Sequence, residues 1–86
     1  MPYELKLSPK AEKDCQYWQK HNPSYLKKID KLLKAIKDDP FEGIGKPEPL
    51  QYGLQNFWSR RISKEHRIWY VVKDNLIAIY RCYGHY

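Results

Sequence analysis

The second half of the sequence holds residues that could act on a phosphodiester. Glu48 stands between Pro47 and Pro49, four arginines follow it (Arg60, Arg61, Arg67 and Arg81), and the chain ends in His85-Tyr86. RNA carries its own nucleophile, the 2′-hydroxyl. Cleaving it needs a base for the 2′-OH proton, a cation for the charge that builds on the phosphorane, and an acid for the departing 5′-oxygen. Glu48, Arg67 and His85 match those three roles in type. The chemistry calls for no metal and no cofactor, and the sequence lacks the clustered Asp/Glu/His set that two-metal nucleases use. Residue type alone is not specific. A glutamate between prolines also reads as a solvated turn residue, Arg67 as a surface partner of Glu65 or Glu42, and a terminal His-Tyr as a frayed end.

The charge has a direction. Lys plus Arg is 16 against 10 acids, a net +6, which points to a polyanionic partner. Both halves are basic, but all the arginines lie in the second. Lysine is a solvated point charge, whereas arginine is a planar fork that grips phosphate in a defined geometry. The lysine-rich half therefore reads as steering and the arginine-bearing half as a site.

These residues must be positioned by one small domain spanning 1–86, because 86 residues exclude a Rossmann, kinase or barrel enzyme. With 42% hydrophobic and 30% charged residues the chain is globular. No run approaches the roughly 20 apolar residues of a membrane span, and Met1 to Leu7 is too short and polar for a signal peptide. The expected location is the cytoplasm. Cys15 and Cys82 form no Cys-x-x-Cys pair, which argues against a disulfide scaffold or zinc ribbon.

Tyr3 to Leu7 alternates as a short strand. Ser8-Pro9 predicts the N-cap and first residue of a helix whose apolar face is Ala11, Cys15 and Trp18. Asn22 predicts the N-cap of a second helix, with Leu26, Ile29, Leu32, Leu33 and Ile36 inward, ended by Asp38-Asp39-Pro40. Residues 40–55 read as a long irregular loop, a kind usually functional in so small a domain. Strands follow at Asn56 to Ile62, Arg67 to Lys73 and Leu76 to Cys82, with Asp74-Asn75 as a hairpin turn. The order β-α-α-β-β-β predicts an α+β fold, with two helices on one face of a small, largely antiparallel sheet. Alternation sends Ile68, Tyr70 and Val72 to the core, and Arg67, Trp69 and Val71 to the opposite face.

The motifs Pro40-Phe41-Glu42-Gly43, Gly45-Lys46-Pro47-Glu48-Pro49-Leu50, Phe57-Trp58-Ser59-Arg60-Arg61-Ile62, Glu65-His66-Arg67 and the closing His85-Tyr86 occur in that order, with Tyr17-Trp18-Gln19 upstream. Together they resemble the Txe/YoeB branch of the RelE/ParE toxins over most of the chain. The resemblance implies the toxin of a type II toxin–antitoxin system, with a RelE-like fold similar to microbial ribonucleases. It implies an endoribonuclease that cuts mRNA in the ribosomal A site, neutralised by a cognate YefM/Axe-like antitoxin, and it is compatible with a homodimer. By the same resemblance Glu48 is the general base, Arg67 the phosphate contact and His85 the general acid. Tyr86 orients the substrate, and Lys46, Arg60 and Arg61 meet RNA or ribosome. One departure falls at Tyr83-Gly84, where relatives carry Arg-Tyr; the nearest arginine here is Arg81. Two rival readings remain. One is a non-enzymatic inhibitor of DNA gyrase, as in the ParE branch, against which the Glu48, Arg67, His85 and Tyr86 set argues. The other is a plain nucleic-acid-binding module.

Overall fold

Ser8 begins the helical layer as its sequence predicts. Its extended backbone (φ −69°, ψ 162°) lets Oγ accept the Ala11 N–H at 3.0 Å, while the same hydroxyl donates to the Tyr80 carbonyl at 2.6 Å. Helix α1 runs Pro9–His21, with Glu12 in its first turn and Lys20 and His21 in its last, each favourable to the helix dipole. Asn22 closes α1 by donating its N–H to Trp18 and also precedes α2, Pro23–Asp38. Its side chain does not cap α2 as expected; Oδ1 accepts the Ser24 hydroxyl at 2.6 Å instead.

The computed structural model describes residues 3–50 and 56–84. Its strands are β1 (Glu4–Leu7), β2 (Glu48–Pro49), β3 (Phe57–Arg61), β4 (Arg67–Lys73) and β5 (Leu76–Arg81), in sheet order β1-β5-β4-β3-β2. The β1–β5 pair is parallel and the others antiparallel. The sheet is thus mixed, largely antiparallel, with the helices on one face. Strand β2 was not expected. Two residues carry no periodicity to read, and Pro49 can join only because an edge strand has no further neighbour to supply with an N–H. Asp74 makes the β4–β5 turn at φ 55°, as the Asp74-Asn75 pair predicts.

The core lies between the helices and the sheet. Ala11, Trp18, Ile29, Leu32 and Ile36 meet Ile62, Ile68, Tyr70, Ile77, Ile79 and Cys82. Two polar groups are built into it. Asp14, on the apolar side of α1, is buried; it pairs with Lys10 and accepts the Cys82 N–H at 2.8 Å. Arg60 is fully buried. Its Nε donates to the Tyr70 hydroxyl at 3.1 Å and its terminal nitrogens to the carbonyls of Ile44 (3.1 Å), Glu42 (3.0 Å) and Asp39 (2.5 Å). Tyr70 in turn donates its hydroxyl to the Pro40 carbonyl at 2.7 Å, and its burial raises its pKa above the usual phenol value.

Two outcomes follow from this core. Arg60→Met should leave three loop carbonyls without their donor and cost about 3 kcal/mol, read as a fall in Tm of more than about 10 °C; a change below about 1 kcal/mol would remove the structural role given to this guanidinium. The second concerns Cys15 and Cys82, both free and in contact through their thiols. The hydrogen bond from Cys82 lowers the Cys15 pKa, whereas the same bond and burial push the Cys82 thiol far up. Cys15 therefore gains thiolate first as pH rises. A disulfide-exchange reagent at mildly alkaline pH should titrate Cys15 in the native protein and reach Cys82 only on denaturation.

Candidate active site

The face of the sheet turned away from the helices is set by register. Glu48 lies opposite Ser59, Ser59 opposite Trp69, and Trp69 opposite Arg81, one row across four strands. Paired residues share a face, so this row projects to one side. Arg61 and Arg67, opposite each other on β3 and β4, form part of the next row. Within this lattice Arg67 NH1 donates to Glu48 Oε1 at 2.6 Å and to Ser59 Oγ at 3.2 Å. The arginine side chain is 14% exposed and the carboxylate 46%. A mostly buried cation is thus tethered beside a carboxylate that solvent or a substrate can reach.

Glu48 reaches this place through a tightly constrained loop. Gly45 has φ 85°, and a Cβ there would lie 2.7 Å from Leu32 Cδ2, so the loop needs glycine for both conformation and space. The Gly45 carbonyl accepts the Arg61 N–H at 2.6 Å, and Leu50 donates to the Phe57 carbonyl at 2.9 Å. These bonds dock the loop on β3 on either side of Glu48. Lys46, two residues before it, is exposed with φ 51°. Lys46 and Arg61 also line an open groove of about 560 Å³ with Lys27, Lys28 and Lys31 of α2, over a floor that includes Leu32.

Residues 82–84 are held against the same corner. The Trp18 indole donates to the Cys82 carbonyl at 2.9 Å and Asp14 holds the Cys82 N–H, so α1 grips this residue from both sides. Farther on, the Gly84 N–H donates to His66 Nδ1 at 2.9 Å, and the Gly84 carbonyl accepts the Arg67 N–H at 2.9 Å. Tyr83 packs between Trp18, Tyr17 and His66. The next residues in the sequence, His85 and Tyr86, lie outside the described residues.

The structure therefore brings Glu48, Arg67 and Arg61 to one face, with Lys46 at its margin. It corrects the expectation for Arg60. That guanidinium points through the sheet into the core and spends its donors on carbonyls, leaving no exposed surface for RNA. The adjacent arginines fall on opposite faces because strand side chains alternate; Ile62, two residues on and buried, was the available signal. Sequence reasoning missed Ser59, a buried hydroxyl on Arg67, and the positioning groups Asp14 and His66. Asp14 could have been found from its place at i+3 in the Ala11, Cys15, Trp18 stripe.

A family model described as the YoeB-like toxin of bacterial type II toxin–antitoxin systems matches residues 7–86. Toxin YoeB of Escherichia coli K12 is 47% identical over 83 residues, covering 96% of this chain and 99% of the relative. The solved YoeB dimer of Staphylococcus aureus aligns over 100% of both chains with TM-score 0.89 and 44% identity. The heterotetrameric YoeB–YefM complex from the same organism aligns over 100% of both chains with TM-score 0.85 and 44% identity.

The Glu48 carboxylate is nearly half exposed, so its charge contributes little to folding, about 0–1 kcal/mol. Glu48→Gln should therefore unfold in urea within about 1 kcal/mol of the parent. A markedly larger loss would mean that Glu48 holds β2 in place rather than being held by it.

Proposed function

The chain belongs to the YoeB-like toxins of bacterial type II toxin–antitoxin systems, and we propose that it is an endoribonuclease that cuts mRNA in the ribosomal A site and so stops translation. The observation that carries the reading is the Glu48–Arg67 pair, a reachable carboxylate and a tethered guanidinium 2.6 Å apart on an open sheet face. In the proposed reaction Glu48 takes the 2′-OH proton and the 2′-oxygen attacks the adjacent phosphorus. Arg67 stabilises the charge on the phosphorane. His85 protonates the departing 5′-oxygen, and Tyr86 orients the substrate. The products are a 2′,3′-cyclic phosphate and a 5′-hydroxyl, with no metal in any step. Lys46 and Arg61 meet the RNA or ribosome.

The partner is proposed on the same footing. The Staphylococcus aureus relative is seen with YefM, and a net charge of +6 suits an acidic antitoxin segment that folds as it binds. A free homodimer is proposed from the dimer of that relative. None of the described helices is long and apolar enough to cross a membrane; the site of action proposed is the cytoplasm, where ribosomes translate.

The test is a reconstituted translating ribosome with a defined message, its new RNA ends mapped by primer extension beside naked message. Ends inside the A-site codon are expected only with the ribosome, unchanged by EDTA. Glu48→Gln and His85→Gln should each lose at least about a hundredfold in rate. Full cleavage by both variants would end the assignment. Folded, toxic protein that cuts in neither tube and instead blocks gyrase supercoiling would establish the non-enzymatic alternative.

A further inference from the structure

Arg81 is on the active face because of an irregularity. Val71 lies opposite Ala78 and Tyr70 opposite Ile79, but Trp69 lies opposite Arg81, so β5 carries one extra residue, Tyr80. In an unbroken ladder Tyr80 would face Trp69, and Arg81 would point to the helices. The bulge turns Arg81 back to the side of Trp69, Ser59 and Glu48. There its guanidinium carbon sits 5.0 Å from the centre of the Trp69 ring, and Nε donates to the Tyr83 carbonyl at 2.9 Å.

These contacts fix the side chain without consuming its fork. Among the described residues the terminal nitrogens of Arg81 make no hydrogen bond or ion pair, in contrast to Arg60, whose terminal nitrogens serve three carbonyls. Space is kept for them. Gly84 has φ 81°, and a Cβ there would lie 3.0 Å from Arg81 NH2. A cation stacked on an indole, anchored through Nε and left with two donor nitrogens is preorganised for an oxyanion.

We propose that Arg81 grips a backbone phosphate of the RNA strand flanking the cleaved bond, as a binding and positioning residue outside the acid–base set. This rests on the endonuclease reading above. Arg81 stands three strand spacings from Glu48, about 14 Å, too far to serve the reacting phosphate itself. It would fix the register of the strand on the sheet face while Arg67 meets the scissile group.

The test uses the full chain with a short single-stranded 2′-O-methyl oligonucleotide, which has no free 2′-hydroxyl to attack, followed by anisotropy across a salt series. Arg81→Gln should weaken binding roughly fivefold and flatten the slope of log K against log salt by about 0.7, the loss of one phosphate contact. Arg81→Lys keeps the charge and should keep the slope. On ribosomes Arg81→Gln should raise KM with kcat little changed. Glutamine and lysine variants that both lower Tm but leave the slope at the parent value would overturn the proposal and make Arg81 a structural prop. Parent protein that neither binds the oligonucleotide nor cuts on the ribosome would overturn the endonuclease reading and this one with it. A parent that does both, with an unchanged slope in Arg81→Gln, would remove Arg81 alone.

Discussion

The carbonyls of Asp39, Glu42 and Ile44 lie in an irregular stretch outside the sheet, and the Arg60 guanidinium takes all three while its Nε meets Tyr70. Backbone oxygens folded against a core need donors, and a loop without a ladder cannot supply them from itself. Arg60 does so from inside the protein, which allows the chain leaving α2 to turn across the sheet. The loop then reaches β3 in the one arrangement where Gly45 fits over Leu32 and its carbonyl meets the Arg61 N–H. Glu48 follows three residues later, already opposite Ser59.

A second set of bonds treats the other end of the chain in the same way. Asp14 and Trp18 hold the peptide groups of Cys82, and His66 and the Arg67 backbone hold those of Gly84. Accepting the Gly84 N–H through Nδ1 leaves the proton of a neutral His66 ring on Nε2. Arg67 is thus common to both systems. Its side chain reaches Glu48 on the loop side, and its backbone reaches the tail. Residues 48, 59, 67 and 82–84 gain their relative positions from these bonds, because no single helix or strand carries them all.

Much of this was legible in advance, for identifiable reasons. Helix limits at Ser8-Pro9 and Asp39-Pro40 follow from local capping chemistry, and three long strands follow from alternation. The pairing of Glu48 with Arg67 was not legible from periodicity, since they lie 19 positions apart with β3 between them; residue type and the resemblance, not spacing, assigned them to one reaction. The Arg60-Arg61 doublet reads as a basic patch until alternation is carried through to Ile62. The bulge at Tyr80 and the two-residue β2 depend on tertiary pairing and leave no periodic trace. Parallel pairing of β1 with β5 is a consequence of topology, because the two helices carry the chain from β1 at one edge to β2 at the other, and the antiparallel steps from β2 bring β5 back beside β1.

Net charge describes this surface poorly, because the arginines differ in how their donors are spent. Arg60 is buried and serves carbonyls, so its charge stabilises the fold and offers nothing to a polyanion. Arg67 is shared between a carboxylate and a hydroxyl. In the proposed reaction an incoming phosphate competes with Glu48 for that guanidinium, and Glu48 exchanges a cation for the 2′-hydroxyl as the substrate seats. Arg61 lies opposite Arg67 yet also lines the lysine groove, so positive surface continues from the site toward α2. Like charges on facing strands repel, and a polyanion laid across them relieves that repulsion. In that reaction the +6 of the sequence would steer RNA toward the protein, and the fold would decide which guanidinium the RNA meets.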